Sequence, residues 1–265
     1  MAHRIAVLSQ KGGTGKTTTV RTLADALRRA GLTVLTVDLD PQGNLSDYCD
    51  VPPDAQPTIA EVLAGRVAFS DAIHDGIVPA NLQLAEAELA LAGRMGRELV
   101  LRKLLLGGDG PADETDVILF DCPPNLGLLT VNALVASTHA LIACEAQYFA
   151  LQGVEQARQV IDLARETLNP ELVWLGAVVT KADLRTVHSR EAVAQLRAAH
   201  GDKILETVIR QSIAYPETAE RGTSILDHRP ELGVDYLDLA VEVADALGEA
   251  SARRKLVRMA RAVRG

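Results

Sequence analysis

Short, continuous apolar runs alternate along the chain with longer stretches in which apolar residues recur every three or four positions. Runs at 5–8, 34–37, 117–120, 140–143, 173–179 and 207–209 read as strands. The stretches 16–30, 58–64, 86–106, 126–136, 151–168, 189–200 and 234–247 read as helices. Strands that are apolar throughout, separated by helices, indicate a sheet buried on both faces. The pattern therefore predicts an α/β fold: a doubly wound, mostly parallel sheet with helices on both faces. Thr58 and Glu61 have capping-box spacing and mark a helix start. Residues 107–111, with three glycines, read as a flexible connection, and Pro52, Pro53 and Pro57 mark another loop. With no repeat and no long linker, one domain over 1–248 and a basic helical tail over 249–265 is the expected organisation.

Composition narrows this picture. Of 265 residues, 48% are hydrophobic and 23% charged, which suits a folded soluble protein and excludes a disordered one. The most apolar region, 128–144, is interrupted by Asn132, Ser137 and His139, so no membrane span is expected. The apolar stretch after Arg4 is too short for a signal peptide. The three cysteines, Cys49, Cys122 and Cys144, form no C-x-x-C pair, which argues against a zinc site or disulfide framework and for a cytoplasmic location. The formal charge of −8 is unevenly spread. Residues 251–265 carry six basic side chains and no acid, while the preceding 250 residues carry 21 basic and 35 acidic ones, a net −14. A basic end on an acidic body suggests a polyanionic partner, nucleic acid or membrane, or else a solvated last helix.

The sharpest chemistry lies between the first strand and first helix, in Gln10-Lys11-Gly12-Gly13-Thr14-Gly15-Lys16-Thr17-Thr18. Gln10 replaces the first glycine of the strict phosphate-loop pattern, but the physical requirements remain. Gly12, Gly13 and Gly15 let the backbone N–H groups curl toward phosphate oxygens at a helix N-terminus. Lys16 would reach the β- and γ-phosphates, Thr17 would give its hydroxyl to Mg²⁺, and Thr18 would contact the α-phosphate. The second strand ends near Asp38 and Asp40, which i, i+2 alternation would aim the same way. There Asp38 would serve the Mg²⁺ shell and Asp40 would orient the attacking water. The strand 117–120 delivers Asp121 in a Walker B arrangement, an acid for the metal's water shell. Cys122 beside it reads as a buried structural thiol.

These motifs together resemble the ParA/MinD group of ATPases, P-loop NTPases with a deviant Walker A loop. The similarity runs from Arg4 to about Leu247 and rests on Lys11 with the glycines and Lys16. It rests too on Asp40-Pro41-Gln42-Gly43-Asn44, on Asp121 with Pro123 and Pro124, and on the run Thr207 to Arg210 with Glu217, Gly222 and Tyr236. The segment Glu145 to Gly153 is similar as well, with Gln147 where an acid is usual. The resemblance implies ATP and Mg²⁺ as ligands and a homodimer that sandwiches nucleotide, with Lys11 reaching the partner's phosphates. It implies DNA partition: an ATP-bound dimer on the nucleoid that a centromere-binding ParB-type partner stimulates to hydrolyse ATP slowly and let go. The run after Asp40 resembles ParA rather than MinD.

Thr180-Lys181-Ala182-Asp183 also resembles the guanine-reading motif of GTPases, but the D-x-x-G that should follow the Walker B acid is absent. In the ParA group this region lies beside adenine, so Thr180, Asp183 and Arg210 are nucleotide candidates. The resemblance implies a face of basic residues for DNA, with candidates Arg185, Arg190, Arg197, Lys203, Arg210 and Arg221. Arg254, Lys255 and Arg258 join them from the tail. Aromatics are only 3%, which argues against base stacking and leaves non-specific backbone contact to duplex DNA. The tail reads as an amphipathic helix with Leu256, Met259, Ala260 and Val263 on one face. That helix fits DNA support, packing on the body, or a MinD-like hold on an anionic membrane, the last weakened by the lack of Trp or Phe. A MinD-like membrane-cycling ATPase and a positioner of some other cargo stay open as alternatives. An iron–sulfur reductase does not, for want of a suitable cysteine pair.

Overall fold

The apolar runs lie side by side in a computed structural model that describes residues 2–107, 110–111, 114–147 and 149–265. The strands are β1 (His3–Leu8), β2 (Val34–Asp38), β3 (Ile77–Val78), β4 (Val117–Asp121), β5 (His139–Glu145), β6 (Val173–Ala182) and β7 (Ile204–Arg210). They form one seven-stranded sheet in the order β3-β2-β4-β1-β5-β6-β7, every neighbouring pair parallel. All strand C-termini therefore open on one edge, where a doubly wound sheet binds its ligands.

Alternate strand residues feed two cores. Ile5 and Val7 point to the face covered by α1 (Lys16–Arg29), α2 (Asn44–Tyr48), α9 (Ala214–Glu220), α10 (Ile225–His228), α11 (Pro230–Ala246) and α12 (Ala250–Arg264). Ala6 and Leu8 point to the other, covered by α3 (Ile59–Ala64), α4 (Gln83–Ala92), α5 (Val100–Leu106), α6 (Leu128–Ala136), α7 (Ala150–Thr167) and α8 (Val187–His200). The capping box that opens α3 is formed: the Ala60 N–H donates to Thr58 Oγ1 at 3.2 Å and the Thr58 N–H donates to Glu61 at 2.8 Å.

One expected helix is not continuous. The stretch 86–106 is α4, a 3₁₀ turn at Arg97–Leu99, and α5. Gly93 ends α4, and Gly96 takes a left-handed φ of 68°, which a regular helix cannot include. The two-residue β3 and the short α2, α9 and α10 lacked a periodic signal. The connection over 107–111 falls partly outside the described residues.

The sheet ends in β3 on one side and β7 on the other, and α11 lies against β7. Glu242 accepts the N–H groups of Glu206 and Thr207 at 3.0 and 2.8 Å, and Asp235 accepts that of Arg210 at 3.0 Å. A turn at Gly248 sends α12 back along α11. Ala252, Leu256 and Ala260 of α12 are buried, with Met259 and Val263 packed against the same core. Arg253 pairs with Asp245 at 2.7 Å and Arg264 with Asp238. Among the described residues, no helix is long and apolar enough to cross a membrane.

Candidate functional site

The loop between β1 and α1 forms one wall of a cleft of about 900 Å³ at the C-terminal edge of the sheet. Lys11, Gly12, Gly13, Thr14, Gly15, Lys16, Thr17 and Thr18 line it, with Asp40 and Gln42 from the loop after β2 and Asn44 at the start of α2. Gly13 and Gly15 hold φ of 77° and 79°, left-handed values that keep the loop curled around its own N–H groups. The first N–H groups of α1 have no partner within the helix and add a positive end to the same wall.

Behind the loop, β4 lies beside β1 and sets Asp121 under Lys16 and Thr17. Lys16 Nζ donates to one carboxylate oxygen at 3.1 Å and Thr17 Oγ1 to the other at 2.7 Å. Burial disfavours the Lys16 ammonium, but Asp121 outweighs it and raises the lysine above its usual value. Burial also raises Asp121, more than Lys16 and Thr17 lower it.

Asp38 and Asp40 do not share one direction. The strand ends at Asp38, and the Asp40 N–H turns back to donate to Asp38 Oδ1 at 3.0 Å. Asp38 Oδ2 accepts from the Ser46 N–H and hydroxyl at 3.0 and 2.8 Å. Asp38 is wholly buried, raised by burial and by Asp121, and does not line the cleft. It ties the start of α2 to the sheet, whereas Asp40 faces the cleft and accepts the Gln42 N–H at 3.0 Å.

Other predicted residues sit elsewhere. Thr180 lies beneath the loop, donating to the carbonyls of Thr14 and Cys144 at 2.5 and 3.1 Å, so it supports the loop from behind. Asp183 is held by Arg185 at 2.8 and 2.9 Å and does not line the cleft. Arg210 pairs with Asp235 at 2.9 Å. Lys11 donates to Gln147 Oε1 at 3.0 Å, with Glu145 at 4.0 Å. Cys122 is fully buried and its thiol is raised by burial. The far wall was not anticipated: Lys181, with a left-handed φ of 51°, and Gln211, Ser212, Ile213, Tyr215 and Pro216 after β7. The signal was available, since every strand of a parallel sheet delivers its following loop to the ligand edge.

The basic residues of the second half are mostly engaged. Arg190 donates to the carbonyls of Leu184 and Arg185 at 2.9 Å each. Arg197 reaches Glu206 at 3.4 Å, and Lys203 donates to the Trp174 carbonyl at 3.1 Å. Arg221, Arg254, Lys255 and Arg258 are exposed.

The donor set suits a phosphate ester with a hard divalent ion. Thr14 Oγ1 is buried in the loop without a partner, a polar atom left for a ligand. Among the described residues there is no group of three or more His, Cys, Asp or Glu that could cage a metal. One hydroxyl and one carboxylate beside a phosphate cradle is how Mg²⁺ is held, through water and phosphate oxygens.

A family model described as an AAA domain matches residues 2–174. The chromosome-partitioning ATPase Soj of Thermus thermophilus is 39% identical over 254 residues, 94% of this chain and 98% of that protein. A Mycobacterium smegmatis structure described as cobyrinic acid a,c-diamide synthase with ADP and magnesium is 39% identical, with a TM-score of 0.74 over 83% of this chain and 93% of that one. The septum site-determining protein MinD of Pyrococcus horikoshii, complexed with Mg-ADP, is 27% identical, with a TM-score of 0.75 over 94% and 98%.

Proposed function

Because the chain belongs to the ParA/MinD family of P-loop ATPases, we propose that its ATP cycle serves DNA partition. The chain is an ATP hydrolase, and ATP and Mg²⁺ are its ligands. The observation that carries the assignment of roles is the Lys16–Asp121–Thr17 cluster at the foot of the glycine loop. Lys16 would hold the β- and γ-phosphates, and Thr17 and Asp121 would hold Mg²⁺, which would supply positive charge against the transferred phosphoryl group. Asp40, facing the cleft from a turn of its own, orients the attacking water. Lys11 is exposed at the mouth of the cleft and adds a second cation to a partner chain's phosphates. The ATP-bound homodimer holds duplex DNA without reading sequence, and a ParB-type partner stimulates slow hydrolysis that ends the contact. On this reading the chain acts on the nucleoid, with a chromosome or plasmid as cargo.

An amide synthase reading, from the mycobacterial structure, is not favoured by the cysteines, two of which, Cys122 and Cys144, are buried away from the cleft. Release of ammonia from glutamine by covalent catalysis requires an activated thiolate. Burial raises all three thiols, Cys49 to about 11, Cys144 to about 12 and Cys122 as well.

The test is cosedimentation with plasmid DNA and, separately, anionic liposomes, with ATP and Mg²⁺. Lys16→Ala removes nucleotide binding and DNA binding together. Asp40→Ala keeps ATP bound, lowers turnover about 100-fold or more, and leaves protein on DNA. Binding to liposomes but not to DNA would refute the partition reading.

A further inference from the structure

Of the six candidate cations of the second half, five are held by the chain itself, through Asp183, Glu206, Asp235 and backbone carbonyls, and the sixth, Arg221, stands exposed after α9, with no ion pair among the described residues. The outer face of α12 differs. Arg254, Arg258 and Arg261 are exposed, and among the described residues none of them forms an ion pair with an acid. With Arg253 and Val257 they border a shallow groove of about 360 Å³. Their i, i+4, i+7 spacing puts them on one face over roughly 10 Å of helix axis. Lys255 is turned away: its Nζ lies 2.6 Å from where a Cβ on Gly31 would stand, at the end of α1.

The opposite stripe of α12 decides what this face can hold. A helix that lies in an anionic membrane must bury its apolar side in lipid. Here that side is already in the core, with Leu256 at 0% exposure and Ala252 and Ala260 at 2%. What α12 offers is charge without accessible apolar surface, on a body whose remaining charge is strongly negative. That combination fits a rigid polyanion touched at one place, and duplex DNA carries a phosphate charge about every 1.7 Å of its axis.

We propose that Arg254, Arg258 and Arg261 on α12 form the contact surface for the duplex phosphate backbone, so that DNA meets the last helix rather than α8 and β7. This rests on the partition reading. The three arginines act as positioned charges and read no sequence.

The experiment measures binding to a random-sequence duplex by fluorescence anisotropy, with ATP and Mg²⁺, across a series of salt concentrations. R254A/R258A/R261A weakens binding about tenfold or more and lowers the salt slope by roughly 3 per chain. R254K/R258K/R261K restores most of the affinity, which a merely structural role would not. R185A/R190A/R197A binds as the parent does. All variants keep DNA-independent ATP hydrolysis and the parent's melting temperature. If the parent binds duplex and the α12 alanine variant binds equally well, the inference fails while the partition reading stands. It fails in the same way if the R185A/R190A/R197A variant alone loses binding. If the parent binds no duplex but does bind phosphatidylserine vesicles, both fail together.

Discussion

Lys16 and Asp121, 105 positions apart, meet at 3.1 Å because β1 and β4 are neighbours. The loop, the Walker B acid and Asp40 were legible as motifs, since each needs only a strand end and a few residues after it. Thr180 and Asp183 were not. A four-residue pattern cannot show that the Thr180 hydroxyl points back at the Thr14 carbonyl, or that Arg185, two positions on, takes up Asp183. A different residue gives a pH-dependent prediction. His139 Nδ1 lies 2.8 Å from Thr138 Oγ1, and burial, with His3 and Arg4 nearby, pushes its pKa from 6.5 down to about 4. It is neutral in the folded chain while an unfolded histidine takes up a proton. Its contribution to stability is complete above pH 6.5 and is lost as the pH falls through about 4. Urea midpoints measured between pH 7 and pH 4 will therefore fall less in His139→Gln than in the parent; parallel curves would contradict this.

At the scale of elements, six of the seven strands were legible, the two-residue β3 was not, and neither was helix continuity. The strands are bounded by sharp changes in polarity, whereas the stretch 86–106 keeps a helical rhythm across Gly93 and Gly96. A left-handed Gly96 breaks the backbone without disturbing that rhythm. The start of α3 shows the reverse case, in which spacing alone located an element's end. Thr58 is buried, and its hydroxyl and N–H serve both halves of the capping box. Thr58→Ala should cost about 1 kcal/mol in denaturant unfolding, with ATP turnover retained. A change below about 0.3 kcal/mol would mean that packing, and not the cap, sets this terminus.

For the whole molecule, the tail changes meaning once its neighbours are known. The sequence left α12 suited to a membrane, to DNA or to the body. Its apolar stripe belongs to the core under α11, which leaves only the basic face to others. Leu256→Ala should accordingly destabilise the entire chain by about 3 kcal/mol in urea, and a chain ending at Glu249 should be less stable still. A tail that melts separately, with the main transition unmoved, would contradict this packing. The acids of α11 carry a further consequence at the opposite border of that layer. Glu242 and Asp235 take up N–H groups that β7 would otherwise present to solvent. A bare edge strand is a template for aggregation and for β-zipper growth. With that margin closed, crowded copies cannot join sheet to sheet along β7, and any filament that grows from this border must be joined through loops and helices.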